Sequence, residues 1–403
     1  MTARSTPPPP RTPELDGQAH AAAGFANTSV QGGGWRPDDG QELLLAATIG
    51  PEAQAAQAFA QWRRAYDIWK FDAGTTRLLP LLVPRAHLFD DADPAWPMIR
   101  GLYRRAFVHG QLVARRAIDA MQRLAAAGIP TLALKGGALL AYYDHNPALR
   151  PMNDFDALVP RAHAESAIRL LQANGWHNAW PRTERLPYAY HGTCFASFDG
   201  LNFDLHWQVL AAAGDSDDAA LWDASVECDV PGGTTRAPCA ADLLTIVCAH
   251  AAPWSPDSPV RWVADALRII RGQSVAFDWV RVVERARKWR VTLPLHDTLG
   301  YLAQQWQVDV PSAVLEALAA TPVHPVDRRV HAALARKPGL GDYLARPWWR
   351  YRLISYRLPT WRAVPGFLRY LKLTLGQTRI DQLPREILRR IVRFRRGRQV
   401  DPP

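Results

Sequence analysis

Two aspartates in the segment DFDALV (154–159) are the residues whose types and spacing most clearly predict chemistry. The segment alternates apolar and polar residues like a β-strand, so the side chains of Asp154 and Asp156 leave the same face. Two ionised carboxylates roughly 6.6 Å apart, the distance across two strand residues, repel by roughly 2.5 kcal/mol at an effective dielectric constant of about 20. We therefore expect a cation to neutralise the pair.

A third carboxylate lies in LNFDLHWQVL (201–210), which also alternates. Asp204 falls on the polar face of this predicted strand, together with His206, which either orients Asp204 or is a satisfied core histidine. Three carboxylates on neighbouring strands suit a hard divalent cation: Mg²⁺, with Mn²⁺ as the alternative, usually sharing its shell with substrate phosphates. Two such ions can stabilise both the attacking and the leaving oxygen of a phosphoryl displacement.

An isolated Asp-x-Asp pair more often has a structural explanation, with Asp154 as a turn residue and Asp156 on a solvent face. The preceding segment shifts the balance toward function. TLAL (131–134) predicts a short strand that ends at Lys135, Gly136 and Gly137, where a helix begins. Glycines allow close backbone approach, and a helix N-terminus offers unpaired N–H groups to phosphates.

Two basic residues near these motifs have open interpretations. Lys135 is placed to neutralise a phosphate, or extends its ammonium to water from the end of a buried strand. Arg150 precedes the Asp-x-Asp strand and either grips a phosphate with its planar fork or is an ordinary surface arginine.

Together these motifs resemble those of the DNA polymerase beta-like nucleotidyltransferases, where a Gly-Gly or Gly-Ser turn precedes Asp-hydrophobic-Asp and a later strand aspartate. The sequence is most similar to the bacterial family described as uncharacterised nucleotidyltransferases, over about residues 40–300 and most strongly over 129–210. The residues that carry the resemblance are Lys135, Gly136, Gly137, Arg150, Pro151, Met152, Asp154, Asp156, Asp204, His206 and Trp207. In one departure, sixteen residues separate Gly137 from Asp154, more than most of the superfamily uses.

The resemblance implies a site for a nucleoside triphosphate, such as ATP, with a divalent metal. Gly136 and Gly137 would contact the triphosphate, and Asp154 and Asp156 would hold the metal. Asp204 would activate the acceptor hydroxyl or complete a metal site. His250 and Asp265, on later helices, also match residues of the family, although helix packing is the favoured explanation for both.

The apolar periods predict an α+β fold in which a small mixed sheet with helices is flanked by helical regions. Helical spacing runs from about Gln41 to Ala127 and returns from Asp242, and an Asp-Gly turn joins two strands into a hairpin before it. The expected division is a disordered Pro/Gly-rich tail (1–38), an N-terminal helical region (39–127), a nucleotidyltransferase core (128–232), a C-terminal helical domain (233–384) and a basic tail (385–403).

Composition restricts location and partners. No apolar run reaches the length of a membrane span and the N-terminus lacks a signal core, so we expect a cytoplasmic protein. Four widely spaced cysteines argue against disulfides and structural zinc. The formal charge is +10, and residues 346–398 carry fifteen Arg or Lys against two acidic residues. That block predicts an anionic partner, with a solvated helical face as the equal alternative.

We therefore expect a metal-dependent transferase that moves a nucleoside monophosphate from a triphosphate to an unidentified hydroxyl or phosphate acceptor: a peptide, a tRNA, a protein or a small molecule. The alternatives are a catalytically silent nucleotide-binding protein and an RNA-binding protein that stacks bases on the C-terminal aromatic residues. Because like charges surround Asp156, Asp156→Asn is expected to abolish turnover and leave stability unchanged or higher.

Overall fold

A computed structural model describes residues 35–395 except 179–190, 211–218 and the single positions 254, 256, 257, 274, 275, 336, 338, 376 and 378. Of the tail predicted to be disordered (1–38), residues 1–34 lie outside the described residues. Its last residue, Asp38, is ordered: the Asp38 carboxylate caps the first helix by accepting a hydrogen bond of 2.8 Å from the Gln41 amide.

Helices dominate the part of the chain before the sheet. They are α1 (Asp39–Ile49), α2 (Glu52–Ala65), α3 (Ala73–Thr76), a 3₁₀ segment (Leu79–Leu88) and the long α4 (Trp96–Ala126). The predicted helix over RLLPLLVPRAHLF is 3₁₀ rather than α, because Pro80 and Pro84 remove backbone donors that an α-helix needs. Tyr66–Phe71, also expected to be helical, lies beyond the end of α2.

The central sheet has five strands in the order β1-β2-β5-β4-β3. Their bounds are β1 (Leu132–Leu134), β2 (Asp154–Leu158), β3 (Trp176–Asn178), β4 (Gly192–Ser197) and β5 (Asn202–His206). Strand β2 pairs parallel to β5, and the other pairs are antiparallel, so the sheet is mixed. The predicted hairpin is confirmed as β4–β5, with Gly200 in its turn at φ 79°. The α+β fold class is therefore confirmed.

Apolar residues fix the sheet between helices. Phe155, Phe195 and Phe203 are fully buried, and burying a side chain of this size contributes about 1.5–3 kcal/mol. The sheet packs against α4, and α6 (Ala164–Ala173) packs on β3 and α4. The short helix α5 (Lys135–Leu139) packs on β2 and continues as a 3₁₀ turn (Leu140–Tyr143).

A second hairpin, β6 (Val226–Val230) and β7 (Gly233–Ala237), follows α7 (Ala219–Asp223). We did not predict it from the sequence, although Pro231, Gly232 and Gly233 signal its turn. Strand β7 contacts β1 and α4. The boundary expected between residues 232 and 233 therefore falls inside this hairpin.

Helices form the remainder of the described chain. They are α8 (Ala240–Ala251), α9 (Arg261–Arg271), α10 (Trp279–Lys288), α11 (Thr292–Trp306), α12 (Ser312–Ala319), α13 (Pro325–Leu334), α14 (Leu340–Ile354), α15 (Thr360–Thr374), a 3₁₀ turn (Ile380–Gln382) and α16 (Leu383–Arg395). The expected start of the basic tail at 385 falls within α16. Among the described residues, every helix is too short or too polar to cross a bilayer.

Candidate active site

The pairing of β2 with β5 sets the positions of the three predicted carboxylates. In this parallel register Asp156 lies opposite Asp204, and Asp154 lies opposite Asn202. Opposite residues on adjacent strands point to the same face, about 4.8 Å apart across the sheet. Asp156 and Asp204 therefore lie side by side on one face of the sheet.

Asp156 is the most constrained of the three. It is buried, and its Oδ1 accepts hydrogen bonds from Lys135 Nζ at 2.7 Å and from His206 Nε2 at 2.9 Å. Burial disfavours the ionised carboxyl, but the Lys135 ammonium and the His206 hydrogen bond outweigh it and hold the pKa of Asp156 below its usual range. Lys135 thus neutralises a carboxylate rather than reaching water, and His206 bonds to Asp156 rather than to Asp204.

Asp204 has a different environment. Its Oδ1 is buried and has no hydrogen-bond partner among the described residues. Burial and the negative charge of Asp156 raise the pKa of Asp204. The two carboxylates and His206 each present a ligand atom, and these atoms lie within 4.8 Å of one another. A buried carboxylate oxygen without a donor, beside two further ligands, fits a bound divalent cation.

Asp154 lies at the exposed start of β2 and is not a member of that close group. The surrounding protein displaces water, and Asp156 and Asp204 repel its negative charge, so the pKa of Asp154 rises to about 6. Lys135 and Arg261 oppose this rise. Arg261 was not predicted from the sequence as a site residue, because nothing in its local pattern distinguishes it from other helical arginines.

The Lys-Gly-Gly turn is shaped by packing. Lys135 has a positive φ of 40° and begins α5, which is five residues long. A Cβ atom on Gly137 would lie 2.4 Å from the Phe155 ring, and one on Gly136 would lie 2.9 Å from Met152 Sδ. Gly137 is therefore required for α5 to lie against β2, whereas a Cβ atom at position 136 would need the flexible Met152 side chain to shift. The contact of both glycines with a triphosphate stays a prediction.

Arg150 is neither a surface arginine nor free to grip a phosphate with its fork. It is buried, and its Nε and Nη2 donate to the two carboxylate oxygens of Asp265 at 2.8 and 3.0 Å. The Tyr143 hydroxyl donates to the same carboxylate at 2.7 Å. Asp265, which the sequence favoured as a packing residue, thus joins α9 to both ends of the loop between α5 and β2.

Helix α9 makes further contacts with this loop. The Arg268 guanidinium lies 4.4 Å from the centre of the Tyr143 ring and donates to the Tyr142 carbonyl at 3.0 Å. Arg261 donates to the Pro151 carbonyl. Helix α9 therefore holds both ends of the loop that sets the long spacing between Gly137 and Asp154, while His145 and Asn146 in its middle contact β6 and α4.

Two more histidines border the carboxylates. The rings of His191 and His206 have centroids 5.5 Å apart. Burial, followed by the charges of His206 and Lys135, lowers the pKa of His191 well below its ordinary value. The Lys135 ammonium also lowers the pKa of His250, whose side chain reaches solvent. Both are neutral near pH 7, so neither adds positive charge for a phosphate.

Comparison with known proteins shows a match to nucleotidyltransferases. A family model described as "Uncharacterised nucleotidyltransferase" matches residues 62–307, which include every element described above from the end of α2 to α11. A solved structure of an antigenic nucleotidyltransferase-like protein from Paracoccidioides brasiliensis shares 12% identity, with 54% of this chain and 95% of that chain covered and a TM-score of 0.35. This likeness is too distant to assign any residue. No curated protein matches the chain.

Proposed function

Because this chain belongs to the uncharacterised nucleotidyltransferase family, we propose that it transfers a nucleoside monophosphate from a nucleoside triphosphate to a hydroxyl or phosphate acceptor and releases pyrophosphate. The observation that carries this proposal is the pairing of Asp156 with Asp204 across β2 and β5, with one buried Asp204 oxygen lacking a donor among the described residues.

The carboxylates have distinct roles in the proposed reaction. Asp156 and Asp204 would hold the divalent cation, Mg²⁺ by resemblance to the superfamily or Mn²⁺. Asp154, the third carboxylate that the resemblance implies, lies at the exposed start of β2. When bound, the cation neutralises the clustered carboxylates and the phosphates of the substrate. In the alternative role that the resemblance implies, Asp204 would instead accept the proton of an acceptor hydroxyl.

The basic residues and glycines position the nucleotide. Lys135 already lies on the carboxylate cluster, 2.7 Å from Asp156, and its ammonium is available to a neighbouring phosphate oxygen. Gly136 and Gly137, which the resemblance assigns to the triphosphate, are buried beside it in α5. Arg150 contributes indirectly, since its fork is engaged by Asp265. Arg261, whose charge lowers the pKa of Asp154, would supply a second positive charge near that carboxylate.

A label-transfer experiment tests the proposal. The purified full chain is incubated with Mg²⁺ or Mn²⁺, host lysate and each triphosphate in turn, labelled once on the α-phosphate and once on the γ-phosphate. We expect α-label to enter a peptide, RNA, protein or small-molecule fraction, which also identifies the acceptor. Asp204→Asn should abolish the transfer, whereas Asp309→Asn, a change at an exposed aspartate after α11, should retain it.

Transfer of γ-label instead would contradict the proposal, because it would mean phosphoryl transfer. Nucleotide binding without any transfer would favour the alternative of a catalytically silent nucleotide-binding protein. Transfer that persists in Asp204→Asn would place the chemistry elsewhere in the chain.

A further inference from the structure

A histidine completes the group of close ligand atoms at the carboxylates. His206 is 5% exposed, and its Nε2 lies 2.9 Å from Asp156 Oδ1. Asp156, Asp204 and His206 have ligand atoms within 4.8 Å of one another, and Asp154 is outside this group. The chain therefore places a nitrogen donor where the sequence predicted a set of oxygen ligands only.

The fold makes room for this imidazole. His206 shares a face of β5 with Asp204, and Gly192 lies opposite it on β4. A Cβ atom on Gly192 would lie 2.8 Å from His206 Nδ1. Any larger residue at position 192 would thus displace the ring. Glycine at this position therefore leaves room for the imidazole beside the carboxylates, and the Leu205 carbonyl oxygen, also 2.8 Å from such a Cβ atom, limits the position further.

The orientation of the ring directs Nε2 toward the carboxylates. Nδ1 is buried and has no partner among the described residues. The 2.9 Å between Nε2 and Asp156 Oδ1 suits a hydrogen bond. It also suits two adjacent ligands of one octahedral ion, which lie about 3.0 Å apart when each is about 2.1 Å from the ion. With a cation bound, Nε2 would carry no proton, and the neutral imidazole would be protonated at Nδ1 instead. The ring would not need to turn.

We propose that Asp156, Asp204 and His206 form a mixed oxygen and nitrogen site that binds a first-row transition-metal dication, represented by Mn²⁺, in preference to Mg²⁺. Mg²⁺ requires hard oxygen ligands in near-ideal octahedral geometry, whereas an imidazole nitrogen adds affinity for transition metals. This inference deepens the proposed function, on which it rests only for the role of the ion in transfer. Metal binding and the identity of the metal ligands can be measured without nucleotide transfer.

Pulsed electron paramagnetic resonance of the full chain with Mn²⁺, without nucleotide, tests the nitrogen ligand directly. We expect modulation from a directly coordinated ¹⁴N nucleus, replaced by a ¹⁵N pattern when the protein is labelled with ¹⁵N-histidine. That isotope exchange needs no substitution, so the result does not depend on a variant that folds. A tightly bound Mn²⁺ without nitrogen coupling would overturn the inference, as would the absence of Mn²⁺ binding.

Variants then identify which histidine supplies the nitrogen ligand and test the preference for Mn²⁺ over Mg²⁺. We expect the wild type to bind Mn²⁺ at least about tenfold more tightly than Mg²⁺ in competition titrations. His206→Glu should keep Mn²⁺ binding, lose the nitrogen coupling and reduce the preference, while His250→Gln should retain both. Loss of the coupling in His250→Gln, or its survival in His206→Glu, would contradict the assignment.

Outcomes of the two experiments separate the two proposals. Nitrogen coupling without nucleotide transfer would leave the metal site standing and remove the proposed function. Transfer with Mg²⁺ alone, together with bound Mn²⁺ that shows no nitrogen coupling, would support the proposed function and remove the metal site that includes His206.

Discussion

One carboxylate oxygen, Oδ1 of Asp156, accepts hydrogen bonds from both Lys135 and His206. The sequence predicted repulsion between like charges as the main electrostatic feature of this residue. In the folded protein the attraction between Asp156 and Lys135 is stronger than this repulsion, since Lys135 holds the pKa of Asp156 low despite burial. The negative charge of Asp156 instead repels Asp204, whose Oδ1 has no donor among the described residues.

This contrast reverses the expected effect of Asp156→Asn on stability. Removing the Asp156 charge leaves the Lys135 ammonium without its ion-pair partner, which costs about 2–4 kcal/mol of unfolding free energy for a mostly buried pair. Asp204→Asn should leave the unfolding free energy unchanged or higher, because it removes a charge that repels Asp156. Urea denaturation at pH 7 in EDTA measures both, with Asp309→Asn as the control.

Equal stability of Asp156→Asn and the wild type would mean that Lys135 gains little from this ion pair. A large loss of stability in Asp204→Asn would mean that its carboxylate has a structural partner.

The residues of the site were predictable to different degrees. Strand alternation alone put Asp154 and Asp156 on one face, and Asp204 on the polar face of its own strand. The partner of His206 was not predictable, because it depends on the parallel register of β2 and β5, which local sequence does not encode. Nor was the ion pair between Arg150 and Asp265, whose partners are 115 residues apart in the chain.

At the scale of elements, α9 holds the loop between α5 and β2 in place. The buried ion pair of Arg150 with Asp265 is its central contact. Because the loop ends at Asp154, its position governs where the first carboxylate of the site lies. We therefore assign Arg150 and Asp265 as positioning residues.

A double-mutant cycle tests this assignment. Asp265→Asn should lower the unfolding free energy by about 3–5 kcal/mol, because it leaves Arg150 buried without a counter-charge. The combination of Arg150→Met with Asp265→Leu should recover much of that loss, since apolar pairs of similar volume often replace buried ion pairs at little cost. Denaturation measures stability, and calorimetry measures the nucleotide affinity of each variant.

Nucleotide affinity distinguishes positioning from phosphate binding. If Arg150 only positions the loop, the stable double variant keeps its nucleotide affinity within about fivefold, less than the loss of one charged hydrogen bond would cause. A much larger loss in a variant of wild-type stability would show that Arg150 contacts the phosphates.

Helices and strands with a clear apolar periodicity were predictable from the sequence. Elements whose conformation depends on prolines or tight turns were not. The helices after residue 240 and the β4–β5 hairpin follow their patterns. The segment Leu79–Leu88 has helical apolar spacing, but its prolines restrict it to a 3₁₀ conformation. Strands β6 and β7 are short and largely exposed, so they lack the alternation that marks a half-buried strand.

At the scale of the whole molecule, positive charge and exposed apolar residues are both concentrated in the last helices. The aromatic residues there pack mainly on one another: Trp348 lies 5.0 Å from Phe367, and Tyr351 lies 5.4 Å from Tyr370. This packing weakens the alternative in which they stack on bases. Trp361 is the exception among them, with 69% of its surface exposed.

Helix α16 (Leu383–Arg395) carries much of the positive charge of the C-terminal part of the chain. Glu386 is buried and pairs with Arg389 and Arg390 at 3.0 and 3.2 Å, whereas Leu388 and Val392 are exposed. The sequence predicts an apolar stripe along this helix, formed by Ile387, Leu388, Ile391, Val392 and Phe394. The stripe is partly turned to solvent, and Arg385 is exposed beside it. These features favour an anionic partner over a merely solvated helical face.

We predict that deleting residues 385–403 weakens binding of a polyanionic acceptor steeply at low salt and leaves nucleotide affinity nearly unchanged, because the carboxylate site lies in the sheet. Each phosphate that the segment neutralises contributes about 0.7–0.9 to the slope of log affinity against log salt. Fluorescence titrations of single- and double-stranded RNA over a range of salt concentrations measure this slope. A full-length variant with Leu388→Gln and Val392→Gln keeps every charge and should keep the slope. An unchanged slope in the truncated protein would refute recruitment by this segment, and release of the truncated or the glutamine variant from anionic vesicles would indicate a membrane surface instead.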